Sequence, residues 1–119
     1  MVDINGNDEA AWKGANKLID ETVEEIMLNV FGKRTFERIL RIMREKYSLK
    51  INKISEKPQV FSKALRGIVG DNSIIIEDLI VESLYLKIGL KSRWKKNYSF
   101  SDYIKEIRKL IEMRDSIQY

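Results

Sequence analysis

The sequence predicts an all-α fold: a compact domain of five helices, with a long apolar central helix and amphipathic helices at its N- and C-terminal ends. Three observations predict it. Apolar residues recur at spacings of three and four, as on one face of a helix. Trp12, Ala15, Ile19, Val23, Ile26 and Val30 do so near the start, and Phe100, Ile104, Ile107 and Ile111 near the end. The apolar run 74–90 continues for about 17 residues without a breaker, against five or six for an average strand. The only strand-like alternation, at 49–52, is a single isolated segment, and one strand makes no sheet.

Residues 1–7 are polar and read as a frayed start. Asn7 or Asp8 caps the first helix, and Glu9 suits the positive end of its dipole. Gly14 costs about 1 kcal/mol relative to Ala inside a helix and suggests a close contact. This helix either reaches Phe31 or breaks near Thr22, where Thr22-Val23-Glu24-Glu25 matches a capping box. Gly32 is its C-cap. The second helix covers 35–47, with Phe36, Ile39, Leu40, Met43 and Tyr47 on one face and Arg34, Arg38 and Arg41 on the other. Residues 48–57 read as a loop.

Pro58, with its fixed φ and missing N–H, opens the third helix. Phe61, Ala64, Leu65 and Ile68 are its buried stripe, and Gly70 stops it. Asp71, Asn72 or Ser73 caps the fourth, which is placed at the centre of the core with Glu77, Asp78 and Glu82 along its polar edge. A basic, aromatic linker at 91–98 leads to the fifth helix, capped by Ser99 or Ser101 and read as an amphipathic appendage. The expected core is Phe36, Leu40, Met43, Phe61, Leu65, Ile68, Ile75, Leu79, Leu84 and Ile88.

At 119 residues the chain has the size of one domain. Cysteine is absent, so disulfides and thiolate metal sites are excluded, and a reducing cytoplasm is the expected compartment. Histidine is absent too, which removes the commonest general base and the commonest metal ligand. The N-terminus is acidic where a secretory signal is basic and then apolar. Glu77, Asp78, Glu82 and Lys87 interrupt the most apolar window, which falls short of the roughly 20 residues that a bilayer span needs, so no membrane partner is expected.

The net charge of +4 conceals a segregation. Residues 1–32 hold seven acids and two bases, residues 33–66 three acids and eleven bases, residues 67–90 four acids and one base, and residues 91–119 four acids and eight bases. Phosphate-cradling glycine motifs are missing. Asp20, Glu21, Glu24 and Glu25 lack the alternation and glycine turn of a calcium loop. Glu77, Asp78 and Glu82 read as a helix edge rather than an acid–base pair. No catalytic, cofactor-binding or metal-ligating residue is therefore nominated, and no cofactor is expected.

Two surfaces are nominated instead. The basic stripe Lys33, Arg34, Arg38 and Arg41, and the linker residues Lys91, Arg93, Trp94, Lys95 and Lys96, combine cations for phosphates with an aromatic ring for base stacking. Arg34 and Arg38 stand four apart and repel unless neutralised, and the acidic first helix is one candidate neutraliser. The stripes Trp12, Ile19, Ile26 and Ile104, Ile107, Ile111 can dock on the domain's own core or on another chain.

Residues 20–90 also resemble a known family. Arg34-Thr35-Phe36 opens a helix that ends Glu45-Lys46-Tyr47; Ile54, Lys57-Pro58-Gln59-Val60-Phe61, Ala64-Leu65-Arg66 and Gly70 follow. Leu79-Ile80 and Leu84-Tyr85-Leu86-Lys87-Ile88-Gly89-Leu90 close the segment. It is similar to the Nitrosopumilus output domain of the fifth type, an archaeal family without a defined biochemical function. The resemblance implies an output or adaptor role in signalling or regulation and brings no catalytic residue. The expectation is a non-enzymatic archaeal regulatory or protein-interaction module, acting through helical surfaces as a homodimer. The alternative is a nucleic-acid-binding protein.

Overall fold

A computed structural model describes the backbone of residues 3–92 and 94–117 and the side chains of residues 13–92 and 94–114. Among them all regular structure is helical: α1 (Asp3–Tyr47), a 3-10 segment (Ile51–Glu56), α2 (Pro58–Val69), a short 3-10 turn (Gly70–Asn72), α3 (Ser73–Lys87) and α4 (Phe100–Ile117). No described helix is long and apolar enough to cross a membrane.

Helix α1 starts at Asp3, ahead of the expected caps at Asn7 and Asp8, and is broken at Gly32, whose φ of 78° and ψ of 164° are non-helical. That region of backbone space is essentially confined to glycine. The predicted first and second helices thus form one kinked element. A straight 45-residue helix would be about 68 Å long, whereas the molecule's longest dimension is 45 Å. No break occurs at Thr22, which is buried and donates its hydroxyl to the Leu18 carbonyl at 2.7 Å. Among the described residues Gly14 marks no close contact, since a Cβ there would meet none of their atoms within 4 Å.

Ser48, at φ 51°, ends α1, and the Leu49 N–H returns to the Met43 carbonyl at 3.1 Å. That bond reaches one residue further back than the six-to-one bond of a Schellman cap, and serine takes the positive φ where glycine is usual. Leu49 and Ile54 are buried, so the expected loop is a docked 3-10 segment. Pro58 stands in the first turn of α2, and Gly70, at φ 72°, ends it. Ser99 opens α4: its hydroxyl accepts the Asp102 N–H at 3.1 Å, and the Asp102 carboxylate accepts the Ser99 N–H at 2.9 Å. This is a capping box with Asp in the place of Glu. Ser101 lies one residue inside the helix, buried and without a hydrogen-bond partner for its hydroxyl among the described residues.

The core gathers on α1. Ala15, Ile19, Val23 and Met27 are fully buried on its first part, and Phe36, Ile39 and Met43 line the part after the kink. α1 contacts the first 3-10 segment, α2, α3 and α4, and each of the other three helices likewise touches all the rest. α3 packs with one side only: Ile76, Ile80, Val81, Leu84 and Tyr85 are buried, but Ile75 and Leu79, both expected in the core, are exposed. The remaining expected core residues are buried or, for Leu40 and Ile68, half-buried against it. Nor is α4 an appendage. Phe100, Tyr103, Ile104, Ile107 and Ile111 are buried, and the Phe100 ring lies 5.5 Å from that of Phe61. Each such side chain contributes about 1.5–3 kcal/mol by leaving water.

Polar links fix the packing. Ser55, fully buried, donates its N–H to one oxygen of Asp20 at 2.8 Å and its hydroxyl to the other at 3.0 Å. Arg108 of α4 donates to the Ser55 carbonyl and, at 3.1 Å, to Asn16. One small cluster thereby joins α1, the 3-10 segment and α4. Lys87 ties α3 to α1 through Thr22 at 3.0 Å and Glu25 at 2.7 Å.

Candidate interaction surfaces

The outer side of α3 follows from its register. Ile75, Leu79, Glu82 and Leu86 succeed one another at intervals of four, three and four, which align on one face of a helix. Ile75 is 62% exposed, Leu79 39% and Leu86 66%; Ile74, at the N-terminal end, is 52% exposed. A helix that is apolar on all sides belongs inside a protein, yet here one side meets water. Asp78 and Glu82 edge the stripe, and neither forms an ion pair among the described residues. Burial first, and then the neighbouring charge of Glu82, raises the Asp78 carboxyl above its ordinary range. On the packed side of α3, two residues from both Ile75 and Leu79, Glu77 accepts a hydrogen bond from Ser62, and burial raises its carboxyl as well.

The acids were the clue that periodicity alone did not supply. A stripe centred on Ile76, Ile80 and Leu84 is equally apolar, and only the placement of Asp78 and Glu82 tells which side faces solvent.

The nominated docking stripes are otherwise employed. Ile19, Ile104 and Ile107 are fully buried, Ile111 nearly so, and Ile26 is half-buried against the core. They pack within the chain. The side chain of Trp12 lies outside the described residues.

The basic stripe is a real surface. Lys33, Arg34, Arg38 and Arg41 are all exposed on the last part of α1. Among the described residues no carboxylate stands within ion-pair distance of any of them. Among the described residues the acids on the first part of α1 do not pair with them: Glu25 pairs with Lys87, and Asp20 with Ser55.

The linker is organised around Glu106. Its carboxylate accepts from Lys95, Tyr85 and Tyr98. The Lys95 bond, followed by the Tyr85 bond, holds Glu106 below the ordinary carboxylate range, while burial and Glu106 push the Tyr85 hydroxyl strongly upward. The Lys95 ammonium also lies 4.9 Å from the centroid of the Tyr98 ring. Trp94 and Tyr98 both stand edge-on to Tyr103, with centroids 5.5 and 4.9 Å away. Trp94 is exposed on this platform, with Lys91 and Lys96 exposed nearby in sequence. Lys95 is bound internally, and Arg93 lies outside the described residues.

A cleft of about 440 Å³ lies between α1 and the first 3-10 segment, where Lys13, Lys17 and Lys53 face Asp20, Glu21, Glu24 and Glu56. Its half-buried carboxylate, Asp20, has both oxygens engaged by Ser55, and its raised pKa reflects burial. Lys53 pairs with Glu56 at 3.2 Å.

Comparison of the chain with protein-family models, with curated proteins and with solved structures returned no match. The likeness to the archaeal output-domain family rests on the residues quoted for it.

Proposed function

We propose that this chain is a non-enzymatic protein-interaction module of the regulatory or adaptor kind, and that the outer side of α3 is its contact surface. The observation that carries the reading is the exposure of Ile75, Leu79 and Leu86 in one row. Large apolar side chains exposed together on one face are the material of association sites in folded proteins. The output role implied by the family resemblance agrees with it. Homodimer formation through the end helices would require exchange of a helix between copies, because their stripes are buried. Pairing Ile75→Lys with Leu79→Lys should leave folding stability within about 1 kcal/mol of the wild type, both sites being on the solvent side. The same variant should lose association with the protein that the wild type captures in a pulldown from nuclease-treated lysate. Association unchanged in the variant would refute the reading.

The second reading, nucleic-acid binding, is favoured by the exposed cations Lys33, Arg34, Arg38 and Arg41, which form no ion pair among the described residues. Affinity for a labelled oligonucleotide should then fall steeply with salt. Each cation lost to Gln should reduce the slope of log affinity against log salt by about 0.7–0.9. No binding at low salt removes this reading.

A further inference from the structure

Resting on that reading of α3, we propose that its outer side takes a basic amphipathic helix from another protein rather than a second copy of itself. The row Ile75, Leu79, Glu82, Leu86 has the spacing of a coiled-coil seam, with an acid at one of four seam positions. Asp78 stands one turn before Glu82 and on the same side, so the row has an acidic edge. No cation of the described chain pairs with that edge. Arg66 pairs with Asp71 in the turn before α3 and lies near Glu77, and Lys87 is held by Glu25 and Thr22 of α1.

Charge then selects the occupant. Two copies of α3 can pair symmetrically in only two ways. In a parallel pair every residue meets its own counterpart, and Glu82 faces Glu82 of the second copy. In an antiparallel pair Ile75 faces Leu86, but the two-fold axis puts both acidic edges on one flank, with Asp78 beside Glu82 of the second copy. Either arrangement gathers carboxylates while removing water from around them, which is unfavourable. A helix with Leu or Ile at the same spacing and Lys or Arg along one edge fills the row and gives each carboxylate a counter-charge.

The test uses the full chain and two synthetic helical peptides with identical Leu rows, one with a Lys edge and one with a Glu edge. At about 0.05 M salt the Lys peptide should bind about tenfold or more tighter, and at about 1 M salt the difference should largely vanish. Asp78→Asn with Glu82→Gln should bring the two affinities within about twofold at low salt. Leu79→Lys, or Leu86→Lys at the more exposed site, should abolish binding of both peptides with melting unchanged. Equal affinity of the two peptides, still sensitive to Leu79→Lys, would overturn the charge selection and leave the docking face standing. Failure of both peptides to bind, or binding indifferent to Leu79→Lys and Leu86→Lys, would overturn both. A wild-type dimer that neither peptide dissociates and that Leu79→Lys breaks would show that a second copy is the occupant.

Discussion

Replacing Asp20 with Ala removes the acceptor for two donors of a fully buried serine, and the cost can be worked from the contacts. The Ser55 N–H, at 2.8 Å from the carboxylate, cannot turn elsewhere; a buried donor left without a partner costs about 1–3 kcal/mol. The Ser55 hydroxyl can rotate toward another acceptor and adds at most about 1 kcal/mol. Against this, burial raises the Asp20 carboxyl despite both hydrogen bonds, so its removal also relieves a desolvated charge. The net expectation is a loss of about 1–3 kcal/mol, or a Tm lower by roughly 4–12 °C for a domain of this size. Asp20→Asn keeps one carbonyl oxygen for the N–H and should cost less. Denaturant titration followed by far-UV circular dichroism measures both. Because Arg108 donates to the carbonyl of the same serine, Asp20→Ala and Arg108→Met should be non-additive by at least about 0.5 kcal/mol. A wild-type-like Asp20→Ala protein, or an Asn variant worse than the Ala variant, would refute the view that this cluster ties α1, the 3-10 segment and α4 together.

Other expectations are as direct. Gly32→Ala should destabilise by about 1–3 kcal/mol because of its backbone angles, whereas Gly14→Ala, with open space around a new Cβ, should stabilise by about 0.5–1 kcal/mol; paired thermal melts separate the two. Stability against pH should pass through a mildly acidic maximum. The raised carboxyls of Asp20, Glu77 and Asp78 favour the fold most when protonated, and that contribution is lost as pH rises through their folded pKa values. Glu106 and Asp102 are lowered by their partners, so their contribution is present above the ordinary carboxylate range and lost as pH falls through their folded pKa values. A Tm that climbs steadily from acid to neutral pH would contradict the first half of that account. Glu106→Gln should weaken the acid-side loss.

The helical class, the Pro58 start, the Gly70 stop and the Ser99 cap were legible because each depends on local backbone chemistry. The kink at Gly32 was legible as an interruption but not as a bend within one element, since glycine ends or bends a helix by the same freedom. Ser48 carried no glycine signal, and the docking of 51–56 depends on Asp20, 35 positions before Ser55. The outward side of α3 was misread because the helix is apolar on nearly every side, leaving periodicity without a phase. The docking stripes left two alternatives open for a related reason: an amphipathic stripe announces burial without saying against what, and the domain's own interior is the answer for Ile19, Ile104 and Ile107. The basic stripe was readable as exposed, because cations four apart avoid burial, while the carboxylate that captures Lys95 comes from α4, 11 positions later.

The way α4 fills the interior bears on how the protein can be dissected. A fragment trimmed to residues 20–90 would forfeit Ala15 and Ile19 at one end and Phe100, Ile104 and Ile107 at the other, stripping Phe61 of its aromatic neighbour. Such a fragment would present a greasy trough to solvent, and any stickiness it showed would report the missing helix. Partner screens therefore require bait that keeps the whole buried stretch from Ala15 to Ile111.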